Sequence, residues 1–169
     1  MSKAALISIK PKWCEKIING EKTIEVRKTR PKMNTPFKCY IYCTLPKYPH
    51  EDFIATNYPM PQFYGGGKVI GEFTCERIAL IAYDGGELSS TTNAAFSPAT
   101  CLTQSEIIAY IGDKGRCYGW HMSNLRIYDT PRELSEFTGL RNTRFGAAPY
   151  DIKRPPQIWG YVQEEVRDE

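Results

Sequence analysis

The sequence predicts an α+β fold in which a mixed, barrel-like β-sheet carries two or three short flanking helices. Segments with strand patterns outnumber helical ones. The helical segments do not alternate regularly with the strands, which argues against a doubly wound α/β sheet. The chain contains neither an internal repeat nor a Pro- or Ser-rich linker that would separate two halves. Because 169 residues are enough to bury one core, residues 1–169 are predicted to form a single domain.

The first predicted elements are a short apolar strand at residues 4–9 and a helix that starts at Pro11. Proline is preorganised for the first helical turn, and Trp13 and Ile17 then recur at helical spacing. Gly20 ends this helix, since glycine readily adopts the left-handed conformation of a C-terminal cap.

The next segment, residues 23–28, alternates as a strand does. Ile24 and Val26 are predicted to face one side of this strand. Glu25 and Arg27 are predicted to face the other side.

The middle of the chain combines two further strands with two long loops. A strand is predicted at residues 37–44, followed by a Pro- and Gly-rich loop at 45–67. A long or bent strand follows at 68–81, with Gly71 marking a bulge or a close approach of backbone. Residues 84–100 are rich in Gly, Ser and Thr and are predicted to form the second loop.

From residue 103 onward the chain is predicted to hold two helices and two or three strands. A capping box precedes a helix in residues 103–112. Residues 118–128 form a strand pair, or one long strand broken near Ser123-Asn124. A second capping box opens a short helix at 130–137, and residues 138–156 are irregular. Residues 158–162 close the sheet.

The charge distribution, the cysteine and histidine content and the apolar segments of the chain limit the classes of function to be considered. Residues 1–32 carry nine Lys or Arg against three Glu, and a basic end of this kind can steer polyanions. The six cysteines contain no CxxC pair and there are only two histidines, so neither a metal nor a cofactor is expected. No secretory pattern and no membrane-spanning apolar run is found, so a cytoplasmic protein with reduced thiols is predicted.

The candidate site is the segment that joins the first helix to the second strand. Glu25 and Arg27 lie two residues apart on one strand face, close enough for charge-assisted pairing. The turn after Gly20 leaves the direction of Lys22 open. If Lys22 turns inward, a Lys–Glu pair could do acid–base work, because burial lowers the pKa of a lysine. The alternative is an exposed strand face with ordinary salt bridges.

Other candidate ligand-binding residues lie elsewhere in the chain. Lys10 could track phosphates, and Tyr42 and Trp120 could stack on bases. Glu72 is a candidate second carboxylate for the same cleft. For the aromatic residues the alternative is a place in the core, and for Glu72 it is an outward strand position. His121 is expected to be structural.

The motif Gly20-x-Lys22-x-x-Glu25-x-Arg27 resembles the GxKxxExR signature of the ASCH domain family. The lead-in at residues 8–11 and the segments 67–73, 119–125 and 154–162 are also similar to stand-alone bacterial and phage- or prophage-type members. This resemblance implies a PUA-like β-barrel whose cleft is lined by the signature residues Lys22, Glu25 and Arg27. It also implies RNA or a nucleotide as the partner.

The resemblance leaves more than one function open. Some members of the family are amidohydrolases acting on N4-acylated cytidine, and others have been linked to RNA cleavage. In the amidohydrolase branch a threonine three residues after the signature lysine is the nucleophile, and Glu25 occupies that position here. The predicted function is therefore an RNA- or nucleotide-binding module, with a hydrolase using Lys22 and Glu25 as the alternative. A protein partner bound through the two long loops is a third hypothesis, and no oligomeric state is predicted.

Overall fold

The computed structural model describes residues 2–45, 53–54, 63–64 and 66–166, and these residues form an α+β fold. The helices are α1 (Pro11–Ile18) and α2 (Gln104–Ile111). The strands are β1 (Lys3–Ile9), β2 (Ile24–Arg27), β3 (Phe37–Cys43), β4 (Phe53–Ile54), β5 (Phe63–Tyr64), β6 (Lys68–Asp84), β7 (Glu87–Ser90), β8 (Arg116–Arg132), β9 (Thr138–Thr143), β10 (Gly146–Asp151) and β11 (Trp159–Gln163).

Nine of these strands form one mixed sheet, which confirms the predicted fold class. Their order is β10-β9-β11-β1-β3-β6-β8-β2, with β7 paired to β6. β1 and β3 run parallel, and the other described ladders are antiparallel. β6 and β8 are both 17 residues long, and their register shifts at three points, one of them at Gly71. A Cβ on Gly71 would lie 2.5 Å from the carbonyl oxygen of Arg126, so the predicted close approach is present.

The sheet curls so that β2, at one end of the strand order, returns to β1. Three strands separate β1 from β2 in the ladder order, yet Nη2 of Arg27 donates a hydrogen bond to the carbonyl oxygen of Ser8 over 2.6 Å. Just beyond β2, Thr29 accepts a hydrogen bond of 2.9 Å from Nε1 of Trp159. We call this meeting of β1 and β2 the seam. In the described residues side chains, not a backbone ladder, hold the seam together, and this is what makes the sheet barrel-like.

Both faces of the central strands β1 and β3 are buried. Ile7 and Ile41 lie on the face that α1 covers. Leu6 and Tyr40 lie on the opposite face. A third cluster, under α2, joins the apolar side of β2 to β6 and β8. Glu25 and Arg27 therefore point away from this third cluster and toward the seam.

The structure corrects the sequence prediction at three places. Residues 84–100 contain strand β7 and two 3-10 turns, so they are not simply a loop. The helix predicted at 130–137 is wrong, because β8 continues to Arg132 and only a 3-10 turn, Leu134–Glu136, follows. Residues 138–156 are not irregular, since they hold the β9–β10 hairpin.

The other predicted strands and helices are confirmed. Most of the predicted loop at 45–67 lies outside the described residues, apart from β4 and β5, which pair with each other. The capping box predicted at the start of the helix in residues 103–112 is confirmed, because both reciprocal hydrogen bonds between Thr103 and Glu106 are formed. Among the described residues, no helix is both long and apolar enough to cross a membrane.

Candidate functional site

A cleft of about 480 Å3 opens at the seam. The carboxyl end of β1, helix α1, strand β2 and helix α2 supply its walls. Its volume falls in the range of small-molecule sites. The lining residues are Ser8, Lys10, Trp13, Lys22, Glu25, Val26, Arg27, Thr44, Leu102, Glu106, Tyr110 and Gln157.

The turn after α1 directs Lys22 into the cleft. Gly20 takes a positive φ of 78°, and the backbone N–H groups of Glu21 and Lys22 both donate to the carbonyl oxygen of Lys16. This compact turn leaves the Lys22 side chain only 2% exposed. Its Nζ donates a 2.6 Å hydrogen bond to the carbonyl oxygen of Thr100. The direction of Lys22, which the sequence left open, is therefore inward.

Glu25 lies between the two cations of the signature and has a free acceptor position. Its Oε2 is 3.8 Å from Nζ of Lys22, and its Oε1 is 3.3 Å from Nε of Arg27. Neither contact is a hydrogen bond, because Oε2 of Glu25 and Nε of Arg27 both lack a hydrogen-bond partner in the part of the chain that the structure describes. The Glu25 residue is 5% exposed. A buried carboxylate oxygen without a donor is costly, so it marks a place where a ligand N–H would be favoured.

Burial changes the chemistry of Lys22. The pKa of Lys22 is lowered, mainly because burial disfavours the ammonium form, and the negative charge of Glu25 opposes this effect. Lys22 therefore gives up its proton more readily than a surface lysine does. Among the described residues no group of His, Cys, Asp and Glu is arranged to hold a metal ion.

Two aromatic side chains that the sequence did not assign to the site line the cleft. The ring of Trp13 lies 5.0 Å from Nζ of Lys22. The ring of Tyr110, on α2, lies 5.1 Å from Nζ of Lys28. Helical spacing had placed Trp13 on the apolar stripe of α1, and no local signal distinguishes an aromatic residue in a cleft from one in the core. Lys10 lies exposed on the rim of the cleft.

Tyr42, Glu72 and Trp120, which were expected to share this site, do not line the cleft. Tyr42 is buried on the opposite face of β3. Glu72 accepts a hydrogen bond of 2.6 Å from the hydroxyl of Tyr128, beside the same opposite cluster. Trp120 is completely buried. Its ring lies 6.1 Å from the ring of Trp159, so Trp120 is a core residue.

His121 is structural, as expected, and its place in the fold predicts a pH effect. Its Nε2 lies 2.9 Å from the hydroxyl of Thr92, which also accepts from the N–H of Ala94 at the start of a 3-10 turn. Burial, with a smaller contribution from Arg77, lowers the pKa of His121 below its ordinary 6.5, and Glu76 opposes this. The unfolded chain then binds more protons than the folded one between the lowered pKa and 6.5.

Stability from His121 is therefore present above that window and is lost as the pH falls through it. We expect wild-type protein to lose more unfolding free energy than His121→Gln between about pH 7 and about pH 5. Urea unfolding at both pH values measures the difference. Equal losses in the two proteins would contradict this assignment.

Comparison with known proteins identifies the fold. No protein-family model matches the sequence, and no curated protein matches it. The crystal structure of ASCH from Zymomonas mobilis matches with a TM-score of 0.61 and 18% identity, covering 95% of this chain and 88% of that one. A serine-to-alanine mutant of the Zymomonas mobilis protein gives 0.60 and 18%, covering 95% and 89%. A tyrosine-to-phenylalanine mutant gives 0.55 and 17%, covering 96% and 92%. The chain has an ASCH-like fold.

Proposed function

We propose that this ASCH-like fold binds RNA or a nucleotide in the cleft at the seam. One observation carries the proposal. Oε2 of Glu25 is a buried acceptor that receives no hydrogen bond from the described residues, and Glu25 lines an open cleft together with Lys22 and Arg27. Water or a ligand donor must satisfy such an atom, and a nucleobase edge offers the right group.

The residues around Glu25 supply the other contacts that a nucleotide needs. An exocyclic amine such as N4 of cytosine donates to carboxylates, so Glu25 would read a base edge. The rings of Trp13 and Tyr110 offer stacking surfaces for an unpaired base. Lys10, on the rim, would meet a phosphate, because its exposed position allows its ammonium group to follow the ligand.

A hydrolase is the second candidate, and the buried pair of Lys22 and Glu25 favours it. A lysine with a lowered pKa beside a carboxylate is a common acid–base arrangement. Among the described residues that line the cleft, Ser8 and Thr44 carry an aliphatic hydroxyl. The Ser8 hydroxyl donates its proton in a hydrogen bond to the carbonyl oxygen of Pro156. Incubating N4-acetylcytidine or labelled RNA with a large amount of purified protein tests this candidate, and unchanged substrate counts against it.

The binding proposal is tested by Glu25→Gln, which keeps the side-chain shape but removes the charge. We expect the affinity for cytidine 5′-monophosphate to fall about 10- to 100-fold, since a hydrogen bond to a charged group contributes about 1.5–3 kcal/mol. Titration calorimetry measures the change. Glu87→Gln is the matched control. This substitution removes the same charge, and Glu87 is exposed in the β6–β7 hairpin.

The two variants separate specific binding from general electrostatics. The measurement is made below the melting transition of each variant, because Glu25 is also part of a buried ion-pair group. Wild-type affinity in Glu25→Gln, or an equal loss in Glu87→Gln, would show that the cleft is not the binding site.

A further inference from the structure

A second concave surface lies beside the cleft and is strongly basic. We call it the groove. Its volume is about 690 Å3, and of the ten described residues that line it, five are Lys or Arg and none is acidic. The lining residues are Lys28, Thr29, Arg30, Pro31, Lys32, Met33, Asn34, Lys114, Arg116 and Tyr118.

The positive charges of the groove are not neutralised within the described part of the chain. No ion pair with a carboxylate is formed there by any of the five cations, and all five are exposed. Six cations elsewhere in the described residues do form ion pairs with carboxylates. Arg132, for example, makes two hydrogen bonds with the carboxylate of Glu165. Five unneutralised cations around one concavity create a local positive potential that attracts phosphate groups.

The segment 28–34, which forms one wall of the groove, is held in place by contacts with the rest of the fold. The backbone N–H of Lys32 donates to the hydroxyl of Tyr161 over 2.8 Å. Arg30 is tied to its own turn, since Nη2 donates to the carbonyl oxygen of Met33 over 3.2 Å. A preorganised wall loses little conformational entropy when it binds a ligand.

The groove continues directly from the cleft. Arg27 lines the cleft and the next residue, Lys28, lines the groove. The Lys28 ammonium lies over the ring of Tyr110, which belongs to the cleft. Tyr118, in the groove, is the ladder partner of Arg27. A strand whose base occupies the cleft would therefore leave it along the groove.

We propose that the groove binds the sugar–phosphate backbone of a single-stranded RNA whose terminal or unpaired base occupies the cleft. The inference rests on the proposed function and adds to it a polymeric ligand. Five cations without carboxylates suit a phosphate backbone, and the ring of Tyr118 suits an adjacent unpaired base. With contacts of this kind, the affinity for RNA depends more on the length of the strand than on its base sequence.

The test compares two triple variants that lose the same charge. Lys32→Gln/Lys114→Gln/Arg116→Gln removes cations from the groove. Arg141→Gln/Arg144→Gln/Lys153→Gln removes exposed cations from the β9–β10 hairpin and the segment after it, near the other end of the strand order. Fluorescence anisotropy follows a labelled single-stranded RNA 12-mer at several salt concentrations, and calorimetry follows cytidine 5′-monophosphate.

We expect the groove variant to bind the 12-mer at least about tenfold more weakly at low salt. Its plot of log affinity against log salt should be shallower by about two, because each phosphate contact contributes about 0.7 for single strands. Its affinity for cytidine 5′-monophosphate should equal that of wild type. The hairpin variant should retain the wild-type slope.

Other results of these measurements would overturn either the groove proposal or the proposed function of the cleft. A wild-type slope in the groove variant, an equal loss in the hairpin variant, or tighter binding of a double-stranded 12-mer would refute the groove proposal. If cytidine 5′-monophosphate does not bind at all but the groove variant still loses 12-mer affinity, the cleft function fails and the groove assignment stands.

Discussion

Replacing Lys22 with methionine is expected to lower the free energy of unfolding by about 3–5 kcal/mol. Methionine fills much of the same space but leaves the buried Glu25 carboxylate with one cation fewer. It also leaves the carbonyl oxygen of Thr100 without the 2.6 Å hydrogen bond that it now accepts. At about 2–4 °C per kcal/mol for a chain of this size, the melting temperature should fall by about 6–20 °C.

A double-mutant cycle measures how much of this cost comes from Lys22 and Glu25 as a pair. Lys22→Met, Glu25→Gln and the double variant are unfolded in urea alongside wild type. We expect the double variant to be more stable than the sum of the two single effects predicts, since it no longer buries one charge without the other. Strict additivity would mean that the 3.8 Å contact carries no coupling. An exposed Lys22, the alternative that the sequence left open, would instead give almost no change in melting temperature.

Replacing Trp120 with alanine is expected to cost a similar amount, about 3–5 kcal/mol. The indole is completely buried and lies at 5.9 Å from the ring of Phe37 and 6.1 Å from that of Trp159. Removing it leaves a cavity, and the backbone has little freedom to fill it because β8 pairs with both β6 and β2 at Trp120. Thermal and urea unfolding report the loss.

Trp120→Phe is the control for the aromatic contact itself. It keeps a ring in the core and removes Nε1, which makes no hydrogen bond in the described structure. We expect it to recover more than half of the stability lost in Trp120→Ala. Trp120→Ala with wild-type stability would contradict the core assignment and return Trp120 to the list of ligand-stacking candidates.

The fold class was predictable because its signals are local. Alternation alone separates Glu25 and Arg27 from Ile24 and Val26, and the structure keeps that division. The hairpin β9–β10 was missed because its signal is not local. Pro149 argues against a strand, but β10 is the edge of the sheet, where a missing N–H is tolerated.

The site was predictable only in part, for a similar reason. The spacing of Lys22, Glu25 and Arg27 identified the cationic and anionic groups of the cleft. It did not fix the direction of Lys22, which depends on the turn after Gly20. Trp13 and Tyr110 come to the cleft on two different helices, and only tertiary packing brings them together.

The seam has a consequence for how binding and folding are connected. Arg27 lines the cleft and at the same time joins β2 to β1 through the carbonyl oxygen of Ser8. A ligand in the cleft therefore binds a surface that exists only while β1 and β2 are held together. By thermodynamic linkage, a ligand bound in the cleft raises the free energy needed to separate the two strands. Separating the strands lowers the binding free energy of the ligand by the same amount. In this fold, the affinity for a cleft ligand should therefore report how stably β1 and β2 are held together.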